Sequence, residues 1–107
     1  MTRYGQIIRL RPEKQEAYLA LHREVWPEVL KTIRECHIRN YTIFLRDGVL
    51  FAYFEYHGTD FKADMAKMAA DPKTREWWAL TDPCQQPVAG AAPEEWWAPL
   101  EEVFHAD

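Results

Sequence analysis

NYTIFLRDGVLFAYFEY, residues 40–56, reads as two strands joined at Asp47-Gly48. Asn40–Arg46 and Val49–Tyr56 are rich in β-branched and aromatic residues, and an Asp-Gly pair between two such runs signals a two-residue hairpin. Phe44, Leu50, Ala52 and Phe54 are read on one face, and Ile43, Leu45 and Phe51 on the other, so both faces are apolar. A sheet covered by helices on one side only should alternate apolar with polar residues. The second apolar face needs a cover, and a chain of 107 residues has little left to supply one. A second copy of the sheet is the expected cover, which makes the protein a homodimer.

Upstream of the hairpin, Tyr4–Arg11 alternates as a strand and Pro12 ends it. Glu13–Cys36 has helical periodicity, with Tyr18, Leu21, His22, Val25 and Val29 inside one apolar arc. Pro27 lacks a backbone donor and disfavours helix at Trp26, so a kink or break is expected there. Downstream, Thr59 or Asp60 caps a helix over Phe61–Ala70. Lys73–Leu80 is a further short helix or turn. Thr81–Pro99 holds four prolines and reads as irregular, with one helical turn at Pro93–Trp97. Glu101–His105 is a candidate final strand. This order predicts an α+β class fold: a ferredoxin-like sandwich, with an antiparallel sheet carrying helices on one face. A single domain covers residues 1–107.

Composition removes several function classes. The net charge is -4 and no basic cluster is present, so nucleic acid is not an expected partner. No apolar run approaches the ~20 residues of a membrane span, and the N-terminus lacks a signal-peptide pattern. Cys36 and Cys84 have no Cys or His neighbour at metal-ligand spacing; two free thiols in a cytoplasmic protein is the reading, with no metal site. There is no Gly-rich phosphate loop and no serine, which removes the serine-based hydrolases.

The remaining chemistry lies in a few rings. Tyr18, His22 and Trp26 recur at four-residue steps, so they share one side of a helix. Two readings stand for His22: a core histidine with one ring nitrogen hydrogen-bonded, or an acid–base group of the type that titrates near ~6.5. A hydroxyl, an imidazole and a flat ring together suit a polar, ring-shaped ligand such as a sugar. Trp77 and Trp78 are adjacent on a short helix and point ~100° apart, so both cannot face one core: one packs and the other lines a cavity, or both pack, against the first helix or a dimer partner. Tyr41 begins a strand on the face of Ile43 and Leu45. Trp96 and Trp97 read as packing residues. His37, His57 and His105 read as surface or edge positions without partners. Glu55 is either a second proton-transfer group or a carboxylate facing water at a strand end.

Tyr18 with His22 and Trp26-Pro27, Asn40-Tyr41 leading a strand, Trp77-Trp78, and Glu102-Val103-Phe104 together resemble the L-rhamnose mutarotase family. The likeness runs from about Arg3 to Phe104. It implies a dimeric ferredoxin-like fold of the dimeric α/β barrel type, acting on L-rhamnose without a cofactor. It also implies that His22 is the catalytic proton donor and that Tyr18, Tyr41, Trp77 and Trp78 bind the sugar. The segment Pro83–Pro99 and the ending His105-Ala106-Asp107 depart from the family's pattern.

Interconverting α and β anomers requires the ring oxygen to gain a proton while the anomeric hydroxyl loses one, and both are general acid–base steps. The expectation is His22 as the acid towards the ring oxygen. The group that deprotonates the anomeric hydroxyl stays open among a tyrosine, Glu55, water and His22 itself. Two rivals share the fold and the aromatic pocket: a cofactor-free monooxygenase, and a sugar-binding module without catalysis.

Overall fold

The computed structural model describes residues 1–107. Strand β1 (Thr2–Leu10) lies inside the sheet. Strand β3 (Val49–Tyr56) pairs with it antiparallel, setting Tyr4 against Phe54 and Ile8 against Leu50. Strand β2 (Ile38–Arg46) pairs β3 and forms one edge. On the other side of β1, two short antiparallel strands share the edge: β4 (Gln85–Gln86) beside Arg9 and Leu10, and β5 (Ala98–Leu100) beside Gly5–Ile7. The helices are α1 (Gln15–Arg23), α2 (Pro27–Glu35), α3 (Phe61–Ala70) and α4 (Pro72–Thr81). The result is the ferredoxin-like α+β sandwich. No helix is long and apolar enough to cross a membrane.

Local sequence accounts for the joints. Asp47 and Gly48 both take positive φ, 50° and 72°, the backbone of a type I′ turn whose twist matches its strands. Trp26 is extended, with ψ 134°, and Pro27 begins α2 where its missing N–H costs nothing, so the helical run is broken into two. Asp60 accepts a hydrogen bond from the Ala63 N–H and caps α3, and Asp71 does the same for α4 through Thr74.

The sheet has two unlike faces. Ile8, Leu10 and Leu50 are almost fully buried and pack with Tyr18 of α1 and Cys84. Phe54, Tyr56 and Ile38 form a second cluster with Ile33 of α2 and Phe61, Met65 and Met68 of α3. The opposite face holds Phe44 at 63 % exposure, Phe51 at 41 % and Leu100 at 45 %. The register corrects the expected grouping of hairpin residues. Phe44 stands opposite Phe51, while Ile43 and Leu45 stand opposite Ala52 and Leu50. A two-residue turn pairs Arg46 with Val49, so facing residues share a side. Both faces remain apolar, with Phe44 and Phe51 on the outer one.

Two other expectations change. Glu101–His105 is not a strand of this sheet: the last strand is Ala98–Leu100, and the residues beyond it run exposed, with Val103 86 % and Phe104 81 % accessible. Pro93–Trp97 makes a turn rather than a helical turn.

Away from the sheet, Asp64 of α3 accepts hydrogen bonds from the Tyr56 hydroxyl and from the His37 ring. Gly58 is required beside it, because a Cβ there would collide with the Tyr56 hydroxyl and the Asp64 carboxylate. The Tyr56 bond, then the His37 bond, hold the Asp64 carboxyl below its ordinary value. A depressed carboxyl contributes stability above its unfolded pKa of about 3.9, and loses it as pH falls through the folded value. Asp64→Asn is therefore expected to melt at a lower temperature than the parent at pH 7. That gap should close below about pH 4; a gap that stays constant down to pH 2 would contradict the assignment.

Candidate active site

A cleft of about 1320 Å³ opens between the inner face of the sheet and the helices, and Tyr18, His22, Tyr41, Trp77 and Trp78 all line it. All five residues singled out in the sequence thus come together, from three separate elements. The four-residue step on α1 puts Tyr18 and His22 side by side, with ring centroids 4.2 Å apart. Trp77 of α4 meets His22 edge-on at 5.4 Å and Trp26 edge-on at 5.3 Å. Trp77 is buried, whereas Trp78, one residue on, is 36 % exposed. The ~100° step therefore sends one ring into the packing and leaves the other at the cleft wall.

Tyr41 reaches the cleft because of a backbone irregularity. The β2–β3 register slips by one residue between Arg39 and Thr42, and Asn40 has φ 52°. This bulge turns both Ile38 and Tyr41 to the inner face, which a regular strand could not do for residues three apart. The Tyr41 ring lies 5.7 Å from Phe54. Desolvation pushes its ionisation up to about 12.

The imidazole of His22 is held in one tautomer. Its Nδ1 lies 2.9 Å from the Tyr18 carbonyl oxygen, and a carbonyl can only accept, so Nδ1 carries the hydrogen. Nε2 has no protein partner, and no buried side-chain nitrogen or oxygen lacks one, so Nε2 opens on the cleft. The neutral ring thus presents a lone pair at Nε2, and its conjugate acid presents an N–H at the same atom. Tyr18 is 3 % exposed. Burial first, then the nearby Tyr41, push its ionisation far up, so its hydroxyl stays protonated.

Other residues differ from their sequence readings. Glu55 accepts hydrogen bonds from Asn40 Nδ2, the Tyr53 hydroxyl and His57 Nε2, at 2.9, 2.8 and 3.4 Å. These donors, Asn40 first, hold its carboxyl below the ordinary value. Glu55 is therefore a committed acceptor at the cleft rim, not a free base. His37, His57 and His105 are exposed as expected, yet each pairs with a carboxylate: Asp64, Glu55 and Asp107 respectively. Trp97 packs on the core as expected, but it and Trp96 also line the cleft. Gln85, buried at the cleft floor, was missed. Nothing in the string Cys84-Gln85-Gln86-Pro87 marks one glutamine as inward. No three His, Cys, Asp or Glu side chains are grouped so as to hold a metal ion.

Residues 3–106 match the sequence profile of the L-rhamnose mutarotase family. The L-rhamnose mutarotase of Oceanobacillus iheyensis is 31 % identical over 109 residues, spanning 100 % of both chains. That of Burkholderia ambifaria is 35 % identical over 98 residues, spanning 90 % of this chain and 89 % of the relative. The crystal structure of an L-rhamnose mutarotase from Formosa agariphila superposes with a TM-score of 0.79 at 23 % identity, over 100 % of both chains. The tetracenomycin F2 cyclase of Streptomyces glaucescens, a type-II polyketide cyclase, superposes at 0.71 with 16 % identity, also over 100 % of both chains. These two likenesses are of fold, the ferredoxin-like α+β sandwich.

Proposed function

Because the chain belongs to the L-rhamnose mutarotase family, we propose that it interconverts the α and β anomers of L-rhamnose, with His22 moving a proton and Tyr18, Tyr41, Trp77 and Trp78 holding the sugar. One observation carries the assignment of His22: Nδ1 is anchored on the Tyr18 carbonyl, so Nε2 is the only ring nitrogen open to the cleft. In its neutral form His22 takes the anomeric proton at Nε2 as the ring opens. As the imidazolium it returns a proton to the carbonyl oxygen as the ring recloses. The Nδ1 anchor is kept in both forms of the ring, so the one atom Nε2 serves as base in the opening step and as acid in the reclosing step. Such a positioned group supplies about 10²–10⁴-fold. Tyr41 keeps its proton across the physiological range and donates a hydrogen bond to a sugar hydroxyl. Trp78 offers a flat apolar face to the C–H surface and methyl group of a 6-deoxy sugar, and Trp77 backs His22.

The whole chain, residues 1–107, acts as one domain in this reading and works as a homodimer. The exposed Phe44, Phe51 and Leu100 on the outer sheet face support a second copy as their cover. Both cysteines are free and buried, which suits a cytoplasmic protein. NMR saturation transfer between the α- and β-anomeric protons of L-rhamnose tests the function directly. Enzyme-dependent exchange is expected. Binding without exchange would identify a sugar-binding module, and oxygen uptake with an aromatic substrate would identify a monooxygenase.

A further inference from the structure

The cleft floor holds a relay that begins in the segment between α4 and β5. The Trp96 indole Nε1 donates to Gln85 Oε1 at 2.8 Å, and Gln85 Nε2 donates to the Tyr18 hydroxyl oxygen at 3.4 Å. An indole N–H can only donate, so the amide oxygen must face Trp96 and the amide NH₂ must face Tyr18. The reverse orientation would set two donors against each other at 2.8 Å. Gln85 is 4 % exposed and Tyr18 is 3 % exposed, so water does not scramble the arrangement. A phenol has one proton. With Gln85 donating to its oxygen, that proton is free to point elsewhere, and Tyr18 lines the cleft beside His22.

We propose that Gln85, clamped by Trp96, is a positioning residue that commits the Tyr18 hydroxyl to donating its proton into the cleft, to the sugar's ring oxygen. The inference rests on the mutarotase reading and names the group that moves the second proton. In the opening step the O1–H bond breaks and its proton goes to His22 Nε2. The O1 electrons form the C1=O bond, the C1–O5 bond breaks, and O5 takes the Tyr18 proton. After rotation about C1–C2 the steps run backwards: the Tyr18 phenolate recovers the proton from O5, and the His22 imidazolium protonates the carbonyl oxygen. Protons and electrons balance without another reactant.

The test is Gln85→Glu, with anomer exchange followed by saturation transfer from pH 5 to pH 9. A carboxylate still accepts from Trp96 but offers Tyr18 no donor, so the phenol turns its proton to Glu and away from the sugar. Exchange at pH 8 should fall by about 10²-fold relative to the parent, in kcat more than in KM. A protonated Glu can donate again, so the ratio of variant to parent should recover as pH falls. A ratio that is flat with pH, or a loss in KM alone, would overturn the inference, because a merely structural glutamine predicts no such recovery. Trp96→Phe is the second variant, at a position 40 % exposed and tolerant of change. Without the clamp the amide is free to flip, and kcat should fall at constant KM; an unchanged kcat overturns the inference even if Gln85→Glu does not fold. Parent protein that gives no exchange would instead bring down the functional reading itself.

Discussion

His22→Ala is expected to lower enzyme-dependent exchange of L-rhamnose anomers by about 10²–10⁴-fold, the contribution of one positioned proton-transfer group. The loss should fall on kcat, because Tyr41 and Trp78, the groups proposed to hold the sugar, sit on β2 and α4 and do not depend on the imidazole for their position. The fold should survive, since His22 is half-buried and its one hydrogen bond goes to its own helix, at Tyr18. Saturation transfer on parent and variant checks this, with circular dichroism to confirm folding. Exchange that persists undiminished in the folded variant would remove His22 from the mechanism. Imidazole added to the variant should restore part of the rate, because alanine leaves space beside Trp77 for a ring that Nε2 chemistry can use.

Phe44→Asp is expected to turn the proposed homodimer into a monomer at micromolar concentration. Phe44 is 63 % exposed on the outer sheet face beside Phe51, so the protomer itself needs it little. In a two-fold dimer the same patch is used by both copies, and each substitution counts twice. Losing about 1.5–3 kcal/mol of apolar burial per copy weakens the dimer by about 3–6 kcal/mol, or more than 10²-fold in Kd. Two carboxylates brought into an apolar interface add to the loss. Light scattering across a concentration series reads the outcome. A variant that stays dimeric would place the interface elsewhere, and a monomeric parent would remove the dimer altogether.

The hairpin shows what local sequence can carry. Asp47-Gly48 prescribed a two-residue turn, and that turn prescribed the pairing of Phe44 with Phe51. Reading the two strands separately, without applying the pairing, assigned Phe44 to the wrong face. The Asn40 bulge was not legible. A register slip depends on both strands and on Ile38 and Tyr41 each gaining burial or a cleft. The final strand was misplaced for a similar reason: Glu101–His105 carries the β-prone pair Val103-Phe104, but β5 forms where β1 has an open edge, at Gly5–Ile7.

The chemistry divides along the same line. Short-range patterns along the chain were enough to establish the α+β order, the helix break before Pro27, and the Tyr18–His22 pair, because turns, caps and four-residue helical steps act within a few residues. The five rings singled out in the sequence, Tyr18, His22, Tyr41, Trp77 and Trp78, are among those that line the cleft. The tautomer of His22 depended on where its ring turned against the helix backbone. The fate of Glu55 depended on three donors, two of them on its own strand or just past it and one on β2. The Trp96–Gln85–Tyr18 relay joins positions up to 78 residues apart, from 18 to 96. A hydrogen bond's direction is set by what each group can still donate or accept once its neighbours are in place, and those neighbours meet only when the chain has folded.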